Sequence, residues 1–247
     1  MSRIENSDKY YWHRYLDAYL PAFRRLGDVS LVVEFGVLHG DSVAWLAECF
    51  PRASVVGVDI LPTQPEWPVS PRIVYRQADQ GDRRAIGALL DALPGRPDLI
   101  VEDGSHAPRH QVNCLVEGFA RLRPGGLYVL EDIGTSHPSH PTRAGEPPAP
   151  TALHVLLALQ HRREAGLGLD DAVARGLAHP DFLSPAEIAS LFKSIGQVEL
   201  FQRTKLPLRC YSCGGNEFDY VGWRCRCGAD LLAPADSMSC LIWKMAD

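Results

Sequence analysis

Five short apolar runs, each followed by a turn and three of them by a stretch of helical periodicity, constrain this chain more than any other feature. They are Leu31-Val-Val-Glu-Phe35, Ser54-Val-Val-Gly-Val-Asp59-Ile60, Arg72-Ile-Val-Tyr-Arg-Gln77, Asp98-Leu-Ile-Val101 and Gly126-Leu-Tyr-Val-Leu-Glu131. Aliphatic runs with little polar alternation are what strands buried on both faces require. Helices are expected from Asp41 or Ser42 (as the cap) to Phe50, over 83–93 and over 107–122. Strands that alternate with helices run parallel, because each crossover returns the chain to the same end of the sheet. The reading is a doubly wound α/β sheet, whose ligands bind at the C-terminal ends of the strands.

Acidic residues stand at those ends. Glu102-Asp103-Gly104-Ser105-His106 follows the fourth strand and Glu131-Asp132 the fifth. Carboxylates from neighbouring strands with a histidine beside them suit a hard divalent cation and a base. Asp103 could instead cap the helix that begins near Ala107, and paired acids at strand ends are often only solvated. After the first strand comes Val33-Glu34-Phe35-Gly36-Val-Leu-His39-Gly40, which is strand, acid, glycine turn and helix. It is not GxGxxG, which argues against a pyrophosphate cofactor. Glu34 can accept from an amine or face a cation, Asp59 is placed for ribose hydroxyls, and Asp79-Gln80 for an adenine edge.

Glu34-x-Gly36-x-x-x-Gly40, Gly57-Val-Asp59-Ile60 and Leu122-Arg-Pro-Gly-Gly126 before the fifth strand, in that order, resemble the class I S-adenosylmethionine-dependent methyltransferases. The resemblance implies a Rossmann-like, mostly parallel seven-stranded sheet ending in a hairpin of its sixth and seventh strands. It also implies S-adenosylmethionine as donor, with Glu34, Gly36, Gly40, Asp59, Asp79, Gln80 and Glu102 binding it. A narrower likeness covers residues 7–137 and fades from 150 onward. Asp98 to His106, Leu122 to Ser136, and Ser7-Asp8-Lys9 with His13-Arg14-Tyr15 are similar to metal-dependent sugar O-methyltransferases of macrolide pathways. That likeness implies Mg2+ (or Mn2+) on Asp103, Glu131 and Asp132, and a catalytic pair of His106 as general base with Asp103. Lys9, Tyr10 and His13 are candidates to close over the cofactor, although aromatic residues at helical spacing also serve packing.

The C-terminal third departs from that group. Pro21 is expected to kink or break the N-terminal helix over 8–27, and residues 134–150, with His137 and His140, read as a lid loop. Further helices are expected over 151–164 and 169–177, and Ser184-Pro-Ala-Glu187 reads as a capping box opening another. Strands are expected over 198–202 and from Met238 to Lys244. Between them, Cys210-x-x-Cys213-Gly and Cys225-x-Cys227-Gly form a zinc-ribbon-like insert at 207–231, within a methyltransferase domain of 1–206 and 232–247. Four thiolates leave no open coordination position, so a Zn2+ there would be structural; four reduced, unliganded cysteines are the alternative. The insert would wall the substrate pocket or join copies of the chain. Its Arg203, Lys205, Arg209, Arg224 and Arg226 would meet an anionic group or simply face water. Cys49, Cys114 and Cys240 read as core thiols.

A net charge of −5 argues against a nucleic-acid partner. The N-terminus lacks a secretory apolar region and no run is long enough to span a bilayer, so a cytoplasmic protein with reduced thiols is expected. The expected function is Mg2+-dependent O-methylation of a hydroxyl on a small molecule, a glycosylated natural product, by a monomer or homo-oligomer. An RNA methyltransferase with a zinc ribbon and a non-methylating binding or lyase-like member are the competing readings.

Overall fold

The computed structural model describes residues 3–138, 140, 149–233 and 236–246. Seven strands form one sheet: β1 (Leu31–Phe35), β2 (Ser54–Asp59), β3 (Ile73–Gln77), β4 (Leu99–Glu102), β5 (Leu127–Leu130), β6 (Ile195–Gln202) and β9 (Met238–Lys244). Their order across it is β3-β2-β1-β4-β5-β9-β6. Strands β1 to β5 pair in parallel, and β9 runs antiparallel between β5 and β6. The strand order reverses between β1 and β4, which opens a crevice at their C-terminal ends.

Helices cover both faces. Strand residues alternate sides, so Leu31, Val33, Phe35, Ile100, Tyr128 and Leu130 pack under α4 (Arg83–Asp91), α5 (Pro108–Arg121), α6 (Ala152–Glu164) and α8 (Pro185–Ser194). Val32, Leu99, Val101, Leu127 and Val129 face α2 (Leu16–Leu26) and α3 (Asp41–Cys49). The short α1 (Asp8–Tyr11) precedes α2, and α7 (Asp171–Leu177) precedes α8. Among the described residues no helix is long and apolar enough to cross a membrane.

The capping box at Ser184 and Glu187 forms as expected. Two local expectations fail. Pro21 sits inside an unbroken α2; the break falls earlier, at 12–15, where Arg14 has φ +58°. Neither Asp41 nor Ser42 caps α3: Gly40, left-handed at φ +75°, holds the cap position, and the Ser42 hydroxyl is committed to Glu34. The last described loop before β9 follows a two-stranded hairpin of β7 (Phe218–Asp219) and β8 (Arg224–Cys225) in the cysteine-rich segment. Most of the expected lid, 139 and 141–148, lies outside the described residues.

Candidate active site

The two-residue period of the strands decides where the acids point. Glu34 shares a face with Val32, and Asp103 and Glu131 continue the faces of Val101 and Val129, so all three turn towards the N-terminal segment. Ser7 caps α1 by accepting from the Lys9 N–H, and α1 delivers Lys9 among them. Its ammonium, 3% exposed, donates to Asp103 Oδ2 and to Glu131 Oε1 (2.7 Å), and lies 3.4 Å from Glu34 Oε1. Burial works against a charged lysine, but Asp103, Glu131 and Glu34 outweigh it and hold the Lys9 pKa well above its ordinary value. One cation cannot neutralise three carboxylates, two of them buried. Burial, with the charge of Asp103, pushes Glu131 well up despite Lys9, and burial raises Glu34 to about 7 against the pull of Lys9 and Ser42.

Asp103 Oδ1, His106 Nε2 and Asp132 Oδ2 face one another on the cleft side. His106 Nε2 is 3.5 Å from Asp132 and 3.8 Å from Asp103, and one ligand atom from each residue fits within a 4.8 Å group. Both His106 (φ +54°) and Asp132 (φ +48°) hold left-handed backbones, a strain that folded proteins concentrate at functional sites. Tyr15, fully buried, donates its hydroxyl to Asp132 and to the Met238 carbonyl (3.0 Å), and His13 stacks on its ring. Burial disfavours the Asp132 anion, yet His13, His106 and Tyr15 together hold its pKa below the ordinary range. Asp103 is raised by burial, with Lys9 and His106 opposing. Two oxygen donors of opposite titration tendency beside an imidazole form a set that a hard cation fits.

Beside this cluster, a cleft of about 860 Å³ runs over the ends of β1, β2 and β4, within the range for a cofactor pocket. Gly36 must be glycine: at φ +90° a Cβ would stand 2.0 Å from the Asp103 carbonyl oxygen. Asp59 accepts from the amides of Val37 (2.8 Å) and Leu61 (3.0 Å), which fixes its carboxylate at the rim.

Gly36, Asp59, Asp79, Gln80, Asp103, His106, Glu131 and Asp132, all singled out in the sequence, line this cleft. The remaining residues singled out in the sequence lie elsewhere or are engaged within the protein. Gly40 is glycine because Pro68 Cδ would lie 2.3 Å from a Cβ, and it does not line the cleft. Glu34 and Glu102 lie fully buried behind its wall, each with one carboxylate oxygen lacking a hydrogen-bond partner. Gln80 donates its side-chain amide to Glu102 (2.6 Å) and accepts from the Ser105 N–H (2.8 Å) at the cleft wall. Burial raises Glu102 to about 7 against His106 and Gln80. Glu131 lines the cleft and is bound by Lys9, but the converging group is formed by Asp103, His106 and Asp132. His137, His140 and Tyr10 do not line the cleft; Tyr10 packs against the core. The sequence analysis gives no role to Tyr15, which holds Asp132, or to Trp12, His110 and Tyr211 at the rim. The period-two faces of the strands signal three acids seeking one cation, but only the fold shows which lysine answers.

The four cysteines of the insert also converge. Cys210 and Cys227 sulfurs are 3.6 Å apart and those of Cys213 and Cys225 3.5 Å, with all four within 4.8 Å. A disulfide would bring two sulfurs to about 2.05 Å, whereas a tetrahedral Zn–S distance of about 2.3 Å sets sulfurs about 3.8 Å apart. Each knuckle closes on a left-handed glycine, Gly214 (φ +69°) and Gly228 (φ +91°). Burial pushes the Cys210 thiol up, but amides of Cys213 and Ser212 with the neighbouring thiols bring it down to about 7.

Residues 33–133 match the model of a methyltransferase domain. The chain is 34% identical over 181 residues to the 8-demethyl-8-alpha-L-rhamnosyl tetracenomycin-C 2'-O-methyltransferase of Streptomyces olivaceus, covering 59% of this chain and 47% of that protein. It is 31% identical over 129 residues to the ribosomal RNA large subunit methyltransferase E of Rhizorhabdus wittichii, covering 47% of this chain and 55% of that one. It superimposes on the MycE methyltransferase of the mycinamycin pathway in complex with Mg and SAH (TM-score 0.56, 26% identity, 75% of this chain and 46% of that one). The chain thus spans about half the length of the proteins it matches. Residues 33–133 thus carry a methyltransferase domain, and by motif order, strand order and these likenesses the chain resembles the class I S-adenosylmethionine-dependent methyltransferases and, among them, the sugar O-methyltransferases of antibiotic pathways.

Proposed function

We propose that this chain is a Mg2+-dependent O-methyltransferase that uses S-adenosylmethionine to methylate a sugar hydroxyl of a glycosylated small molecule. The observation that carries the reading is the convergence of Asp103, His106 and Asp132 on the same cleft that Gly36 and Asp59 open at the sheet edge. The relatives' names support it: one methylates a rhamnosyl group, and the MycE complex contains Mg and SAH. When bound, the cation lowers the pKa of a hydroxyl and the donor supplies an electrophilic methyl on a cationic sulfur.

The residues divide the remaining work. Asp103 and Asp132 are the ligands this geometry supports, with Glu131 adding charge in the same cleft. His106 presents Nε2 to the two carboxylates and takes the hydroxyl proton there. Tyr15 fixes Asp132, and Lys9 fixes Asp103 through the oxygen that faces away from His106. Gly36 and Asp59 hold the donor, with the unpaired oxygen of buried Glu34 behind them. Cys210, Cys213, Cys225 and Cys227 hold a structural Zn2+, and the protein works in the cytoplasm, where thiols stay reduced.

The test is a mass-shift screen with methyl-labelled donor against rhamnosylated and other glycosylated aromatic polyketides and macrolides, with Mg2+ and with a chelator. The reading expects a labelled methyl on a sugar oxygen that chelation abolishes. Donor binding without transfer to any glycoside, or transfer that a chelator leaves intact, would overturn it.

A further inference from the structure

The four-cysteine cluster does not stand apart from the cleft. Trp12, Cys210, Cys225 and Leu231 form one small apolar cluster, so two of the four cysteines pack with the N-terminal segment. That segment is tied to the module along its length. Leu208 N–H donates to the Tyr11 carbonyl (2.7 Å), and Arg209 donates to the Glu5 carbonyl (2.9 Å) while lying over the Tyr11 ring. Arg203, buried and stacked on Trp12 at 4.5 Å, donates to the carbonyls of Trp12 (2.7 Å) and Leu231 (2.6 Å). On the same turn, Lys9 reaches the three acids, and Tyr15 follows to hold Asp132.

The first knuckle also carries a side chain into the cleft. Tyr211, between Cys210 and Cys213, is 61% exposed yet lines the same cavity as His106 and Asp132, with its ring centroid 6.1 Å from Trp12. An exposed aromatic residue at a cleft mouth, backed by a buried one, offers a face to a flat apolar ring. A two-residue loop between two sulfurs holds that face still only when the sulfurs are held.

We propose that a Zn2+ at Cys210, Cys213, Cys225 and Cys227 builds the acceptor side of the cleft, latching residues 5–15 to the sheet edge and presenting Tyr211 with Trp12 to an aromatic aglycone. The aglycone half rests on the O-methyltransferase reading; the zinc latch does not, and its readouts need no methyl transfer.

The experiment uses the full chain in three forms: as purified, Cys213→Ser with Cys227→Ser, and Tyr211→Ala. Metal analysis should find one Zn2+ per chain as purified and none in the double variant. Hydrogen exchange at residues 8–15 should quicken about tenfold or more in the double variant, while β1 and β4 stay protected. Tyr211→Ala should keep its zinc and its exchange pattern. Calorimetry with SAH and Mg2+ present should show 4-nitrophenyl α-L-rhamnoside binding about tenfold or more tighter than methyl α-L-rhamnoside, the margin a stacking face supplies. Tyr211→Ala should erase that preference. Absence of zinc, or zinc loss that leaves exchange at 8–15 unchanged, would overturn the latch. An aryl glycoside bound no better than the methyl glycoside would overturn the aromatic wall. Should the double variant unfold throughout, stripping zinc from the intact chain with a chelator and following the same exchange decides the matter in the same way.

Discussion

Replacing Lys9 with methionine tests the electrostatics of the site most sharply. Methionine keeps the length and apolar stem, so the packing of α1 survives while the charge disappears. The ammonium is 3% exposed and is shared by Asp103, Glu131 (2.7 Å) and Glu34 (3.4 Å). Removing one member of a buried ion cluster leaves an uncompensated charge, a loss of about 3–5 kcal/mol. For a domain of this size each kcal/mol moves the melting temperature by about 2–4 °C, so a fall of roughly 6–20 °C follows. With a chelator present it should be larger at pH 8 than at pH 6, because the carboxyls of Glu34 and Glu131, raised by burial and no longer held down by Lys9, protonate as pH falls and relieve the repulsion. Mg2+ should raise the melting temperature of Lys9→Met more than that of the parent, because a divalent cation replaces the missing charge. Thermal unfolding followed by near-ultraviolet circular dichroism at both pH values reads all three effects. A variant that melts within about 2 °C of the parent at pH 8 would refute the claim that the cluster depends on Lys9.

Other residues make separate predictions. His106→Ala should lower turnover by about 10²–10⁴ while leaving SAH affinity, measured by calorimetry, nearly unchanged; unchanged turnover removes it from the base role. Gly36→Ala drives a Cβ to 2.0 Å from the Asp103 carbonyl and should abolish SAH binding in the same titration, whereas parental affinity would show that the turn can yield. Glu34 has a folded pKa of about 7 against an ordinary 4.5, so the folded state holds the extra proton. Its contribution is present below pH 4.5 and lost as pH rises through 7, about 3 kcal/mol in all. Urea unfolding of the ligand-free protein should therefore show stability relative to Glu34→Gln falling over that window; parallel profiles would contradict it.

The sheet was legible because its strands are aliphatic runs of the right length between turn residues. Met238–Lys244 was recognisable end to end, and β1 to β5 within a residue or two, because burial on both faces leaves no competing pattern. Strand β6 begins at Ile195, three residues before its expected start, since Gly196 and Gln197 carry no strand signal and only pairing with Lys244 and Trp243 extends it. Asp103, His106 and Asp132 could be picked out because they follow strands. The burial of Glu34 and Glu102 could not be read, since a strand-end acid looks the same whether it lines a cleft or lies behind one. Lys9, Trp12, Tyr15 and Tyr211 reach the site from segments far from β4 and β5 in sequence, and no local periodicity encodes such long-range approach.

The central claim is that the ends of β4 and β5 hold one divalent cation beside the donor cleft. Titration of Mn2+ into the SAH-saturated protein, with free Mn2+ counted by electron paramagnetic resonance, measures that directly. The account predicts one bound Mn2+ per chain, displaced by Mg2+, and none in Asp103→Asn with Asp132→Asn. A parent that binds no Mn2+, or a double variant that still binds one, would contradict it.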